Sequence, residues 1–175
     1  MKKIFLLTLA IPLLFSCGKE EKQNENTDVI EYNETSNTED TNNTSTAVAT
    51  TNHIVLKADD NMTFDKTDFT VKVGEEITLL LLNNGSASKE AMGHNVVVLK
   101  QGTDIGDFSF AASSEKESDY IPKDKLDAII AHTKLLGGKE NDQIKFTLDK
   151  EGSYDFICSF PGHTATMKGK ITAVK

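Results

Sequence analysis

Short runs in which apolar and polar residues alternate occupy the chain from about residue 53 onward. In one of them, Phe69, Val71 and Val73 are separated by a threonine and a lysine. A period of two puts neighbouring side chains on opposite faces of a β-strand, so this run predicts a strand with one buried and one solvated face. The runs predicted to be strands are FTVKV, ITLLLLNN, HNVVVLK, DQIKFTLD, SYDFIC and KGKITAVK.

Turn-forming segments such as NNGSAS, LGGKEND and DKEGS separate these runs. Several short strands at this spacing predict an all-β fold, a Greek-key β-sandwich or barrel spanning residues 53–175. The run HNVVVLK holds four consecutive apolar residues, which is typical of a central strand covered on both faces. In SYDFIC the alternation places Tyr154, Phe156 and Cys158 on the inward face, and Asp155 and Ile157 on the other.

Residues 106–138 break the strand pattern because polar and apolar residues are mixed and Pro122 interrupts them. We expect a short helix over about residues 108–118 and a second helical turn at residues 122–125. The segment is therefore predicted to be a short helical insertion between strands.

The N-terminus carries a different signal. Residues 1–16 predict a secretory signal peptide, since two lysines precede an apolar run of twelve residues, too short to span a bilayer comfortably. The run ends in LFSCG, which resembles the signal box of bacterial lipoproteins and implies that Cys17 is acylated and anchors the protein in a membrane. Two other interpretations stay open: an ordinary cleaved signal with an incidental Cys17, and a disulfide joining Cys17 to Cys158.

Residues 17–52 predict a disordered polar tether, because asparagine, threonine, glutamate and serine dominate and large apolar residues are few. After Cys17 the tether carries eight acidic residues and two lysines, and residues 53–175 carry 19 acidic residues and 15 lysines. Both parts are net negative and the chain has no arginine, so a nucleic-acid partner is excluded. The run GKEE after Cys17 also resembles the surface-export signals of some lipoproteins.

Candidate chemistry is concentrated in CSFPGHTATM, where Cys158, His163 and Met167 follow a C-x4-H-x3-M spacing. Pro161 and Gly162 break regular pairing, so the three side chains are predicted on a connection between two strands at one end of the sandwich. A soft thiolate beside an imidazole and a thioether favours a soft or borderline metal.

A further ligand has to come from elsewhere in the chain. His94 lies at the start of the predicted central strand and can reach the same end of the sandwich. The carbonyl of Gly93 can approach a metal closely because glycine has no side chain. Two histidines, a cysteine and a weak axial methionine form the trigonal set that binds copper for electron transfer.

The same residues are compatible with other roles. Cys158 alone would be typical of a buried structural thiol. A cysteine nucleophile with His163 as base lacks a third orienting group and leaves Met167 without a role. Structural zinc is disfavoured by the thioether. His132 is predicted to be a surface or supporting histidine, and His53 a solvated one.

The segments MGHN, AHTKLLG and YDFICSFPGHTATMKGKIT resemble azurin, a blue-copper cupredoxin, and the resemblance covers residues 59–175. It implies that His94, Cys158 and His163 are the equatorial copper ligands. It also implies that Met167 is the axial ligand and that the Gly93 carbonyl is the weak contact opposite.

The resemblance assigns supporting roles as well. Asn95 and Ser159 match positions that brace the two ligand loops by hydrogen bonds. The positions that match the apolar patch through which electrons pass are Met62, Met92, Phe160, Pro161, Gly162 and Ala165.

The sequence departs from the azurin pattern at several points. No cysteine lies between Cys17 and Cys158, so the usual disulfide is missing. Val96 stands at the position of the usual core tryptophan, and Asn83 at that of a histidine which titrates near neutral pH in many azurins. These departures affect the expected stability, potential and pH dependence rather than the ligand set.

The expected function is therefore that of a lipid-anchored, non-enzymatic electron carrier with one type 1 copper ion cycling between Cu(I) and Cu(II). The resemblance implies c-type cytochromes and periplasmic reductases, such as nitrite reductase or peroxidase, as transient partners. The expected location is the bacterial cell envelope, facing the periplasm or the outer surface. The competing hypotheses are a multicopper enzyme, which would need more histidines, and a copper carrier or storage protein.

Overall fold

The computed structural model describes residues 50–175. The predicted signal peptide at residues 1–16, the predicted acylation at Cys17 and all but the last three residues of the predicted tether lie outside the described residues. In the part that is described, no helix has both the length and the apolar character needed to cross a membrane.

Residues 50–175 fold into eight strands with two short α-helices between them. In chain order the elements are β1 (His53–Ala58), β2 (Asp68–Lys72), β3 (Glu76–Asn83), α1 (Lys89–Met92), β4 (Val97–Leu99), α2 (Ile105–Ala112), β5 (Ile129–His132), β6 (Asn141–Thr147), β7 (Gly152–Ile157) and β8 (Lys168–Val174). Short 3₁₀ helices add Lys116–Ser118, Lys123–Ala128 and His163–Ala165.

The strands form two sheets whose neighbours are often distant in sequence. The smaller sheet has the order β1-β3-β6, with β1 parallel and β6 antiparallel to β3. The larger has the order β2-β8-β7-β4-β5, in which only the β2–β8 pair is parallel. This arrangement confirms the predicted all-β sandwich with a helical insertion.

The main core lies between the two sheets, and the strands that line it show the predicted alternation of buried and more exposed residues. Along β3, Ile77, Leu79 and Leu81 are fully buried while the residues between them are half-buried. The ring of Phe156 lies 5.7 Å from that of Phe64, centroid to centroid, and 5.9 Å from that of Phe69. The buried apolar surface of these alternating strands is the main source of the fold's stability.

A second, smaller core covers the outer face of the larger sheet. Val97 and Ile157 are fully buried there, together with Phe108 and Ala112 of α2 and with Ile121. The prediction that the central strand is covered on both faces is thereby confirmed. Ile157 lies on the opposite face from Tyr154 and Phe156, as the alternation predicts, and the helical insertion folds over that end of β7 and buries it.

The boundaries of several elements differ from the predictions. Helix α2 begins at Ile105, where the Asp104 side chain caps it by accepting a hydrogen bond from the backbone N–H of Asp107. Strands β1 and β5 had not been predicted, although the burial of β1 alternates regularly. The predicted strand HNVVVLK is shorter in the structure, and His94 instead forms an isolated bridge with Leu136.

Candidate metal centre

Two connections at one end of the sandwich bring the candidate ligands together. Cys158 follows β7 directly, His163 opens the 3₁₀ helix His163–Ala165, and Met167 immediately precedes β8. His94 lies between α1 and β4, paired with Leu136 through backbone hydrogen bonds of 3.0 and 2.8 Å. The predicted pairing of a local loop with a distant histidine is therefore present in the fold.

The donor atoms of His94, Cys158 and His163 all lie within 4.8 Å of one another. The Cys158 Sγ and the His163 Nδ1 are 3.7 Å apart, and the centroids of the two imidazole rings are 5.0 Å apart. All three side chains are buried. Such a group of one thiolate and two imidazoles is a donor set that suits copper or zinc.

His94 provides the sharpest indication that a metal belongs at this site. Both its Nδ1 and its Nε2 are buried without a hydrogen-bond partner. A buried polar atom without a partner costs free energy, and native structures rarely leave one in this state without a reason. A metal ion bound by one ring nitrogen of His94 would give that atom its missing interaction, and an interaction with the Asp59 backbone raises the pKa of the same ring, so the residues present fit the ion.

Burial also sets the protonation states of the ligands. It lowers the pKa of His94, and it lowers the pKa of His163 to about 4, with the neighbouring His94 adding to the second effect. Both imidazoles are therefore neutral at pH 7, the state in which a ring nitrogen binds a metal. Burial raises the pKa of the Cys158 thiol to about 11, opposed by backbone N–H groups, and a bound cation reverses that effect.

Met167 and Gly93, the two predicted weak ligands, lie in the same connections. Met167 is fully buried, and its backbone N–H donates to the His163 carbonyl at 2.8 Å. A Cβ atom on Gly93 would lie 2.6 Å from the Lys89 carbonyl oxygen and 2.9 Å from Leu135 Cγ, so only glycine fits there without movement.

Asn95 and Ser159, predicted to brace the two ligand loops, are joined by two hydrogen bonds. The Ser159 N–H donates to Asn95 Oδ1 at 2.8 Å, and Asn95 Nδ2 donates to Ser159 Oγ at 2.8 Å. Both residues are buried, so this pair links the His94 connection to the Cys158 connection away from solvent.

Of the residues assigned to the apolar patch, Phe160 lies against His163 and most of the others are exposed. The Phe160 ring centroid lies 4.5 Å from that of His163, and Pro161, Gly162 and Ala165 are exposed. Met62 is 39% exposed, and its carbonyl accepts a 2.7 Å hydrogen bond from Thr166, which holds it against the loop. Half-buried Met92 directly precedes Gly93.

Several supporting residues could not be found from the sequence. The Asn83 side chain donates to the Leu136 carbonyl at 3.2 Å, and that carbonyl also accepts from the His94 N–H. The Thr133 hydroxyl accepts from the Val96 N–H at 3.0 Å. These contacts join residues 37 to 53 positions apart, for which a single sequence carries no local signal.

The two other histidines of the described range lie apart from this group. His53 is exposed in β1, and His132 is exposed at the end of β5, with its Nδ1 3.0 Å from the Thr133 carbonyl oxygen. Neither belongs to the cluster of metal-binding side chains.

Comparison with known proteins identifies relatives of this architecture. A family model described as copper binding proteins of the plastocyanin/azurin family matches residues 49–174. Azurin-1 of Alcaligenes xylosoxydans xylosoxydans is 39% identical over 123 residues, which cover 68% of this chain and 95% of the azurin.

Two further similarities are to proteins that are not named azurins. Outer membrane protein H.8 of Neisseria gonorrhoeae is 40% identical over 124 residues, covering 68% of this chain and 66% of H.8. The chain thus matches slightly less than two thirds of that relative's length. The structure of dithionite-reduced auracyanin from Roseiflexus castenholzii superimposes with a TM-score of 0.65 at 33% identity, covering 73% of this chain and all of auracyanin.

Proposed function

The chain belongs to the plastocyanin/azurin family of copper binding proteins, and from that premise we propose that it is a one-electron carrier with a single type 1 copper ion. In this proposal His94, Cys158 and His163 would hold the copper ion. The Met167 thioether and the Gly93 carbonyl would be the weaker ligands.

The observation that carries the proposal is the pair of orphaned, buried nitrogens on His94 beside the Cys158 thiol and a second neutral imidazole. A structural histidine would have a hydrogen-bond partner for at least one ring nitrogen. A cysteine nucleophile would require a lowered thiol pKa, whereas burial raises that of Cys158 to about 11.

Copper, when bound, supplies the exchange of one electron between Cu(II) and Cu(I). The protein's own residues supply a rigid and dry setting for it. Asn95 and Ser159 hold the two ligand connections together, and the buried environment of Met167 and Cys158 excludes water. A site that rearranges little between oxidation states exchanges electrons with a low barrier.

The proposed point of electron entry and exit is the apolar patch around His163. Pro161, Gly162 and Ala165 are exposed there, and the ring of Phe160 covers one side of the imidazole. A partner that covers this surface comes close to the ligand ring without displacing any buried element. No substrate has to bind, so the protein acts as a carrier and not as an enzyme.

The cellular setting is part of the proposal. Residues 1–16 are proposed to direct export, Cys17 to carry acyl chains, and residues 17–52 to tether the copper domain of residues 53–175. The name of the relative outer membrane protein H.8 supports a place in the cell envelope, facing the periplasm or the outer surface. The proposed partners are c-type cytochromes and periplasmic reductases such as nitrite reductase or peroxidase.

A visible spectrum tests the copper assignment. The purified full-length protein loaded with Cu(II) is expected to be intensely blue and to bleach on reduction. Cys158→Ser is expected to abolish the colour, and Cys17→Ser is the matched control because it removes a cysteine without touching the site. A colourless Cu(II)-loaded protein that exchanges its metal rapidly would instead favour copper carriage or storage.

Membrane fractionation tests the anchor separately. Wild-type protein is expected in the membrane fraction, and Cys17→Ser in the soluble fraction, with the blue colour kept in both. Membrane association that persists in Cys17→Ser would show that the lipoprotein interpretation is wrong. Stopped-flow bleaching with reduced and oxidised cytochromes then ranks the partners.

A further inference from the structure

The helical insertion touches the ligand connections at three separate points. Tyr120 contacts Phe160, the Asp119 carbonyl contacts Asn95, and Ser109 contacts Thr164. Each of these partners lies next to a proposed ligand or against its side chain. Tyr120 is buried but lies outside the two apolar clusters, and the contacts of Asp119 and Ser109 are polar.

Tyr120 begins an aromatic chain that ends on a proposed ligand. Its ring meets that of Phe160 edge to face, with centroids 5.0 Å apart and an angle of 67° between the planes. The Phe160 ring in turn lies 4.5 Å from the His163 imidazole. Edge-to-face contact is a favoured geometry for aromatic pairs. Tyr120 is only 7% exposed, so its ring is held between neighbours.

Hydrogen bonds attach the insertion to side chains of the same connections. Asn95 Nδ2 donates to the Asp119 carbonyl at 3.3 Å. At the other end, the Ser109 hydroxyl donates to Thr164 Oγ1 at 3.1 Å, and the Thr164 hydroxyl donates to the Cys158 carbonyl at 2.8 Å. The ligand loop is therefore held by α2 on one side and by the turn at residues 119–120 on the other.

The turn that presents Tyr120 is strained. Asp119 and Tyr120 have φ angles of 55° and 60°, two consecutive left-handed residues of which neither is glycine. An aspartate tolerates this conformation, but a bulky tyrosine adopts it rarely. The Tyr120 N–H donates to the Glu115 carbonyl at 2.8 Å, and the Ser118 hydroxyl donates to the Ile121 carbonyl at 2.9 Å, which holds the turn. Strain of this kind is typical of functional sites, where the surrounding structure enforces it.

From these contacts we propose that Tyr120 is a positioning residue: through Phe160 it holds the His163 imidazole in its metal-binding orientation before the metal arrives. The inference rests on the proposed function, because it takes His163 to be a ligand. The hydrogen bonds of Asp119 and Ser109 hold the helical insertion in a fixed position relative to the ligand connections. Preorganisation of this kind reduces the ordering that metal binding would otherwise require.

Amide hydrogen exchange of the metal-free, full-length protein tests the proposal without relying on copper. The reporters are the N–H groups of His163, Thr166 and Met167, which donate to carbonyls within the loop. Tyr120→Leu removes the edge-to-face contact and is expected to raise their exchange rates about tenfold, while amides of β3 stay within twofold. Tyr120→Phe keeps the ring and is expected to match the wild type.

A second variant, which loses a similar amount of packing far from the ligand loop, distinguishes a positioning role of Tyr120 from a general loss of stability. Phe146→Leu removes an aromatic ring from the core between the sheets, and it is expected to lower global stability without a selective effect on the loop amides. Equal exchange rates in wild type and Tyr120→Leu would overturn the proposal. A loop effect of the same size in Phe146→Leu would overturn it as well.

The copper-loaded protein gives a second readout. In Tyr120→Leu, release of copper to EDTA is expected to be several-fold faster and the visible band pattern altered, with Tyr120→Phe restoring both. If the wild type never turns blue, the proposed function fails whatever the exchange rates show. If the wild type is blue and Tyr120→Leu equals it in exchange, spectrum and release, the positioning role alone fails.

Discussion

The core between the sheets and the metal end of the same sandwich are both buried, but they are built on opposite principles. The core is made of apolar side chains such as Leu79 and Phe156. Within residues 50–175, the fully buried polar residues are instead gathered around the ligand connections: Asn83, His94, Asn95, Thr133, Ser159 and His163. The core gains free energy on folding from burial alone, whereas the metal end reaches its lowest free energy only when its donors are occupied.

The bracing residues show how this end tolerates its polarity. Asn95 and Ser159 satisfy each other, and Asn83 satisfies the carbonyl of Leu136. His94 is the exception, with two orphaned nitrogens. The contrast is between buried polar groups that satisfy one another, as Asn95 and Ser159 do, and the His94 ring, whose nitrogens suit a metal ion.

The largest expected change in stability comes from a substitution in the apolar core between the sheets. Leu79→Ala removes a fully buried side chain from the centre of β3 and is expected to lower the free energy of unfolding by about 2–5 kcal/mol. The blue spectrum is expected to survive at low temperature, because Leu79 is not among the metal-binding residues. Chemical denaturation and visible absorption of the same sample check both parts. A lost colour in folded Leu79→Ala would contradict the separation of the two regions.

A pH titration tests the metal end through the contribution of His163. The folded pKa of His163 is about 4, below its ordinary value of 6.5, so the unfolded state binds the proton more readily. The metal-free protein is therefore expected to lose up to about 3 kcal/mol of stability as the pH falls from 6.5 to 4. His163→Gln, the matched control, is expected to flatten this dependence. A slope in His163→Gln as steep as that of the wild type would contradict the assignment.

The Cys158 thiol is expected to make stability depend on pH in the alkaline range. The folded pKa of Cys158 is about 11, above its ordinary value of 9.0, so stability is full below pH 9 and falls as the pH rises towards 11. Denaturation of the metal-free protein across this range is expected to show the loss, and Cys158→Ser to remove it. Copper binding is expected to suppress the effect, because the thiolate is then the bound form.

The smallest effect has the opposite sign and is the most diagnostic. His94→Leu replaces the orphaned imidazole with an apolar side chain and is expected to raise the stability of the metal-free protein by about 1–3 kcal/mol. The same change is expected to abolish blue copper. Denaturant midpoints of the metal-free forms check the sign. A destabilised His94→Leu would show that the imidazole contributes to the fold without metal, and the two-region contrast would then be wrong.

Much of the sandwich could be predicted, because alternation is a local signal. Val71, Phe146 and Ile171 lie buried as the period of two requires. The pattern did not show where a distant segment covers or replaces a strand. The cover that α2 and its neighbours place over Ile157 was not predicted, and the predicted strand at His94 gives way to a single bridge with Leu136. The local pattern of apolar and polar residues in a strand does not show whether a segment from elsewhere in the chain packs over it.

The sequence by itself determined the strand faces, the all-β class and the compact set of Cys158, His163 and Met167, since all depend on spacing within a few residues. Only the tertiary structure decided that His94 meets that set, that Asn95 reaches Ser159 across 64 positions, and that Tyr120 supports Phe160. The physical reason is that period and turn chemistry act over short stretches, whereas these contacts form when the packing of two sheets and an insertion brings remote connections to one end of the sandwich.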